Sequence, residues 1–540
     1  MTASPTPIAI GVFPADELDR RPLLFAALEG VFPVRFEGRQ PGELREIDAA
    51  LEIGGVGIAG ATAIPLLSLL VAEPVTGGKQ VVQNLATAPE LDRRLRGAAL
   101  PDSHLGAAQQ AASALAADAG ALVLASCAGE PTWIRSGRSE QALLGPAELG
   151  PEEALRERLC LSRSAALLPL VHFLRQLSAP IDWQPPATRA CILFDDPNLH
   201  WPSYGFIKLK ELSEHTRAHG YHASLAMVPL DSWFAHPAAV RTLKQSDGTI
   251  SLTVHGNNHN GGELGRQETE ADGLALAAQA LRRIAAFERR TGIAVDRTMV
   301  PPHEECSQAT VEGLSRCGFE AITMTRPLPW LARPPRSWLA RLPGTDALIG
   351  WRPADFAGAL PVLLRHPLLS RDPPELVLRA FLDQPLILYG HHNDLAEGGL
   401  DVLASAVNEV NRLGGTRWCS LSEIVASNFE TRLQGSQLSV RPLTRRARVV
   451  VPDTVEQLLV ELPAAHPGPA NERLIVDGRP AEHGDPVEVV PGSTVELRLQ
   501  AHNLVDVATV PAPRRQPGAL ARRALGEGRD RLLPLFSRAR

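Results

Sequence analysis

The sequence predicts an α/β protein: a distorted parallel (β/α) barrel, preceded by an N-terminal α/β domain and followed by a C-terminal β-sandwich. Three observations predict it. From Cys191 to about Asn428, apolar strand-like runs alternate with helical stretches, which implies a parallel sheet or barrel with functional groups at the C-terminal strand ends. The first 150 residues alternate strand and helix in shorter runs. After Asn428 the pattern changes to period-two strands separated by Pro/Gly turns.

The chain of 540 residues exceeds what one core serves, and about 150 residues per domain gives three or four domains. Hydrophobic residues at 44 % and charged residues at 21 % fit a folded globular protein and exclude a disordered one. A net charge of -6 over this length builds no field that would call for a nucleic-acid partner. The six cysteines form no CxxC pair or small disulfide framework, and the start lacks the basic and apolar regions of a secretory signal. The cytoplasm is therefore the expected compartment.

In the N-terminal domain, residues 1–177, the strands expected are Ile8 to Phe13, Val81 to Leu85 and Ala121 to Ser126. A helix is expected over Asp102 to Ala119, and another over Ala154 to Leu177 with a break near Pro169. The order suits a flavodoxin- or amidotransferase-like layer. Ile53 to Ala72 is charge-free and approaches the roughly 20 residues of a membrane span. Its Gly54, Gly55, Gly57, Gly60 and Pro65 favour a strand, a loop and a short buried helix, so no transmembrane span is expected. Cys127 follows a strand, but the residues after it read as turn and strand where a nucleophile turn needs a helix, and it is read as structural.

Ser178 to Thr188 carries three prolines and marks a linker. The barrel is expected over residues 188–428, with Pro327 to Pro374 as an irregular Pro-, Arg- and Leu-rich excursion over it. The sandwich is expected over 436–505. Residues 506–540 form a basic tail, with eight arginines after Pro511 against Glu527 and Asp530, and are expected to be solvated and disordered.

The chemistry-bearing residues fall at strand ends of the barrel. CILFDD closes a buried strand with Asp195 and Asp196, whose side chains diverge and can serve different tasks. TISLTV ends in His255, and His259 follows four residues later. If the chain turns into a helix there, the two imidazoles share a face and can approach one ion. Asn198, His200 and Tyr204 after the first motif, and Asn258 between the histidines, are polar residues placed to line a pocket or to cap the next helix. VPPHEE, with Pro302 and His303, follows a later strand, and LILYGHHNDL ends the last one with His391 and His392.

These motifs, in this order, resemble the polysaccharide deacetylase (NodB homology, carbohydrate esterase 4-like) family over about 240 of the 540 residues. The resemblance implies Asp195 as base and Asp196, His255 and His259 as ligands of a divalent metal, Zn²⁺ by default. It further implies His391 as general acid, with His392 the runner-up; Asn198, His200, Tyr204, Asn258, Pro302 and His303 are the residues expected around the substrate. The activity implied is hydrolysis of an N-acetyl group, or next an O-acetyl group, on a carbohydrate or glycoconjugate. Three features depart from the family. Val300 stands where an arginine that orients the base is expected, leaving Arg297 or Arg326 to replace it with different geometry; His303-Glu304 stand where an aromatic-Gly pair is expected; and the Trp-bearing motif has only Trp330 and Trp351 as candidates. The missing arginine favours the alternative of a non-catalytic carbohydrate-binding or scaffold protein with a relic barrel; a lyase or glycosidase on a similar barrel is a third reading.

Overall fold

The computed structural model describes the chain except residues 1–5, 41, 56, 59–62, 72–77, 112–114, 116–119, 328–346, 464–465, 467–471, 502, 515–516 and 538–540. Two compact units result: Met1–Gln184 with Pro335–Trp351 and Asp372–Leu382, and Pro185–Pro334 with Arg352–Arg371 and Asp383–Arg540.

The first unit is a nine-stranded sheet of β1 (Ile8–Phe13), β2 (Val34–Gly38), β3 (Ala49–Ile53), β4 (Leu66–Val71), β5 (Val81–Leu85), β6 (Ala99–Asp102), β7 (Leu122–Cys127), β8 (Glu130–Ser136) and β9 (Ser139–Leu144), ordered β2-β1-β3-β4-β9-β8-β7-β5-β6. The run β2 to β9 is parallel and the rest antiparallel. Every residue of β3 is buried, as a parallel strand covered on both faces requires. Cys127 ends β7 at a two-residue hairpin through Ala128 (φ 50°) and Gly129 (φ 89°), a left-handed pair that reverses the chain into β8. The helix expected from Asp102 is His104–Ala111, and part of its remainder lies outside the described residues. The helix before the linker is Ser164–Ser178, and it carries Pro169 without the break expected there. The core takes in Trp351, Leu378, Phe381 and Leu382 from the two later segments. No helix among the described residues is long and apolar enough to cross a membrane.

The second unit holds the barrel. Its strands are β10 (Arg189–Asp195), the hairpin β11 (Ser203–Tyr204) and β12 (Ile207–Lys208), then β13 (Ala223–Met227), β14 (Ile250–His255), β15 (Val295–Val300), β16 (Ala321–Met324), β17 (Asp355–Ala357), β18 (Leu360–Pro367), β19 (Leu386–Gly390) and β20 (Arg417–Trp418). Seven of them close in the order β13-β14-β15-β16-β18-β19-β10 and back to β13, all parallel. This is the distorted parallel barrel expected from the alternation. All seven residues of β10 are buried, which is why the sequence there is a continuous apolar run rather than an alternation. Helix Glu270–Thr291 has the punctuation its sequence predicts: the Thr269 side chain accepts from Asp272 N, and Gly292 leaves the helix at φ 69°. The excursion expected between Pro327 and Pro374 is corrected in part. Its LPVLLRHP run is β18, a barrel strand paired with β16 and β19.

The period-two runs form two four-stranded sheets, from β21 (Phe429–Gln434), β22 (Gln437–Pro442), β23 (Arg446–Val450), β24 (Gln457–Val460), β25 (Glu472–Val476), β26 (Arg479–Ala481), β27 (Pro486–Glu488) and β28 (Thr494–Ala501). Pairing of β21 with β22 starts the sandwich at Phe429, before residue 436. It is fixed to the barrel by Arg445, whose Nη1 donates to the Ser315 carbonyl at 2.8 Å and the Phe319 carbonyl at 3.2 Å. The tail also departs from the expectation of disorder: Pro517–Ser537 is a helix.

Candidate metal centre at the barrel mouth

Asp195 ends β10, Asp196 follows it, and His255 ends β14, one strand beyond the neighbouring β13, so the three converge at the C-terminal ends of the strands. His259 arrives by a different route from the one expected. The residues between the histidines are a loop rather than a helix. The Glu263 carboxylate organises it, Oε1 accepting from the N–H groups of Asn257, Asn258 and His259 at 2.7, 2.8 and 2.9 Å. Gly256, at φ 60°, is required here, because a Cβ would lie 2.6 Å from Pro302 Cγ. Asp196 (φ 79°) and His259 (φ 55°) are themselves left-handed, a cost non-glycine residues bear mainly at functional sites.

His259 Nε2 lies 3.2 Å and His255 Nε2 3.8 Å from Asp196 Oδ1. One ligand atom from each of the three residues lies within 4.8 Å of the others. Ligand atoms around a tetrahedral Zn²⁺ sit about 3.4 Å apart, so the set fits such an ion after small side-chain adjustments. The tautomer fits too. His255 Nδ1–H donates to the Val300 carbonyl at 2.9 Å, which leaves Nε2 as a lone pair facing the site. Burial holds His255 and His259 down at about 4, so both are neutral at pH 7, as ligands must be. Burial pushes Asp196 up, but His255, His259 and Arg523 outweigh it and hold the carboxyl well below its ordinary range. With the imidazoles neutral, Arg523 is the standing counter-charge.

The arginine missing from its expected place is supplied by Arg365 on β18. Its Nη1 donates to both oxygens of Asp195, at 3.0 and 2.9 Å, and its Nε donates to Glu304 Oε1 at 2.8 Å. The guanidinium stacks 4.1 Å above the Tyr389 ring and is 2 % exposed. Burial works against its charge, and Asp195 and Glu304 outweigh burial. The two arginines considered as replacements are engaged elsewhere: Arg297 pairs with Glu288, and Arg326 donates to the Glu304 carbonyl. Trp351 lies in the core of the first unit, and Trp330 lies outside the described residues.

The helix Pro517–Ser537 covers this mouth, which the sequence reading missed entirely. Arg523 donates from Nη1 to Asp196 Oδ1 at 3.2 Å, from Nη2 to the Asp196 carbonyl at 2.8 Å, and from Nε to Asp231 Oδ2 at 2.7 Å. Two of the expected substrate-lining residues are held by it. His200 faces Glu527 through Nδ1 at 3.1 Å and the Asp231 carbonyl through Nε2 at 2.9 Å; burial lowers its pKa, but these acceptors outweigh burial and raise it. Tyr204 is buried and donates to Asp530 Oδ2 at 2.8 Å. Asn198 is buried, its Oδ1 accepting from His200 N, and its Nδ2 has no hydrogen-bond partner among the described residues. Asn258 Oδ1 accepts from Arg283, Pro302 packs on Gly256, and the exposed His303 ring lies tilted against His259, centroids 5.3 Å apart.

The paired histidines differ. His391 is exposed, begins the turn after β19 and acts electrostatically on Asp196. His392 is buried, edge-on to Tyr204, stacked on Phe206, with Nε2 3.6 Å from Asp530 Oδ1. Gly205 makes room for it, since a Cβ there would lie 2.2 Å from His392 Nδ1.

No family model matches the chain, and no curated protein matches it. Among solved structures, it is similar to a family 4 carbohydrate esterase from Streptomyces lividans in complex with acetate, at 13 % identity and a TM-score of 0.25 over 44 % of this chain and 94 % of the other. Peptidoglycan deacetylase PdaC from Bacillus subtilis matches at 11 % identity and a TM-score of 0.26, over 44 % and 90 %. The YdjI aldolase from Escherichia coli K12 matches at 10 % and 0.26, over 42 % and 92 %. Deacetylases and an aldolase score alike, so these likenesses carry no argument about activity.

Proposed function

We propose that the barrel is a metal-dependent hydrolase that removes an N-acetyl group, or an O-acetyl group, from a carbohydrate or glycoconjugate. The observation that carries the reading is the convergence of Asp196, His255 and His259 beside a carboxylate, Asp195, that is held by a buried arginine. Two histidines and a carboxylate are the donor set of a hydrolytic Zn²⁺ site, and the bound ion would supply Lewis-acid polarisation of a carbonyl and a more acidic water.

The chain's own groups then divide the work. Asp195 is the base: Arg365 grips both its oxygens through one nitrogen, which fixes the carboxylate while leaving lone pairs to take a proton from the attacking water. His391, exposed at the mouth, protonates the departing amine or alcohol. His392 is the alternative acid, and its packing against Tyr204, Phe206 and Asp530 suits a supporting role better. Asn198, Asn258, Pro302 and His303 line the substrate's approach, and His200 and Tyr204 lie beside them under the covering helix. Acetate and a free amine or hydroxyl are the products.

The test is turnover of N-acetylated and O-acetylated glycans by metal-loaded protein. Chelator should abolish it. Asp195→Asn should keep stoichiometric metal and lose about 10²-fold or more in rate, the usual worth of a general base. His391→Ala should do likewise, with His392→Ala milder. Metal binding without turnover on any acetylated glycan would instead favour the non-catalytic carbohydrate-binding reading, and metal retained at full stoichiometry by His255→Ala would dismantle the ligand set.

A further inference from the structure

A surface helix ordinarily turns its apolar stripe toward the protein and its charges toward water. The helix Pro517–Ser537 does the reverse. Ala519, Arg523, Glu527 and Asp530, spaced by four, four and three residues, share the face that meets the barrel, and the three charged ones are bonded there to Asp196, His200 and Tyr204. The opposite face, by the same geometry, is the stripe Ala521, Leu525, Gly528 and Leu532. Leu525 is 76 % and Leu532 51 % exposed.

The charges beside that stripe are of one sign. Arg522 and Arg529 flank it on one side and Arg531 on the other; the segment's two acids are turned to the barrel, where Asp530 also pairs with Arg529 and Glu527 with Arg531. Aromatic residues of the barrel rim extend the surface. The Arg531 guanidinium lies 5.4 Å over Trp201, and His200, held by Glu527, lies 5.2 Å from Trp233. Thirteen large apolar residues are exposed among the described residues, and six gather here: Trp201, Trp233, Phe234, Leu525, Leu532 and Leu533.

We propose that this surface seats the barrel mouth on an anionic lipid bilayer. An apolar stripe edged by arginines is the composition of a helix lying in the headgroup boundary, and exposed indoles settle at the same depth. Arg522, which donates to the Asn260 side chain, and Arg529, 71 % exposed beside its buried partner Asp530, present the positive charge that anionic headgroups attract. A nucleic acid would use the arginines but leave the leucines and indoles in water; a bilayer satisfies both. The inference goes beyond the hydrolase reading and does not depend on it.

The test is co-sedimentation of the full chain with vesicles of phosphatidylcholine alone and of phosphatidylcholine with about 30 % phosphatidylglycerol. Anionic vesicles should bind at least about 10-fold more tightly than neutral ones and lose that advantage at high salt. Leu525→Asp combined with Leu532→Asp should weaken binding by about 10-fold or more, with unchanged circular dichroism, since both positions are exposed. Equal binding to both vesicles, no binding to either, or full binding by the double variant would each overturn the proposal. So would a dimer in solution that the double variant dissolves, which would assign the stripe to a second copy of the chain.

Discussion

Arg365 is buried between two carboxylates, and its removal leaves both Asp195 and Glu304 without their common cation. Breaking such an arrangement from one side costs about 3–5 kcal/mol, more than the contact itself is worth, because charge is stranded in a dry site. Arg365→Ala should lose that much in denaturant unfolding, and Arg365→Lys should recover only part, since one ammonium cannot span both acids; unfolding of the alanine variant at the wild-type midpoint would refute this. The two histidine ligands give a second prediction. Their pKa values are lowered from 6.5 to about 4 by burial, so the unfolded chain binds more protons than the folded one between those values. Stability is therefore full above about 6.5 and is lost as pH falls toward 4. His172 and His222, also held at about 4 by burial, add to the same slope, so the measurement is the thermal midpoint of chelated protein against pH, compared with His255→Gln. A variant with the same slope as wild type would remove His255 from the account. At this scale the sequence was informative wherever a chemical group sits next to a strand end. Asp195, Asp196 and His255 could be picked out because apolar runs stop at them. Arg365 could not, since it lies inside a run of Pro, Arg and Leu with no polar boundary to mark it.

The same difference governs the elements. β10, β14 and β19 were readable as continuous apolar runs, whereas β18 was hidden by its prolines and by the composition around it. The i, i+4 spacing of His255 and His259 would suit a helix, but the segment between them is a loop. The carboxylate of Glu263, four residues further on, takes the backbone N–H groups instead, and nothing local to the histidines announces that. The helix Pro517–Ser537 defeats pattern reading more completely. Arg523, Glu527 and Asp530 form its buried side, and their barrel partners lie some three hundred residues away in the chain. Docking of that helix places a guanidinium on the same Asp196 oxygen that faces both histidines. Helix and divalent cation thus offer alternative neutralisation of one carboxylate, and each weakens the other. Arg523→Ala should consequently tighten Zn²⁺ binding in calorimetry by about 10-fold or more. Unchanged or weaker binding would mean that Arg523 supports the ligand rather than competing for it.

Across the whole chain, the order of layers followed from the periodicity of the sequence, strand and helix alternating and then period two. The two compact units are not continuous blocks of it. Residues 347–351 and Asp372–Leu382 return to the first unit, and between them β17 and β18 serve the second. A reading that moves along the chain assigns each stretch to its neighbours, and cannot see a segment that leaves one core and comes back to another. The apolar residues of those returns, Trp351, Leu378 and Phe381, are inside the first unit's core at 5 % exposure or less. That arrangement sets a timetable for synthesis. The first 184 residues emerge with a core that lacks its last side chains, and the ribosome must add nearly two hundred more before Leu382 is available. At about 5–20 residues per second the nascent sheet waits roughly 10–40 s with an apolar face open. Most of the barrel's strands leave the ribosome during that interval, so the growing chain carries an unfinished sheet while a second one is being assembled.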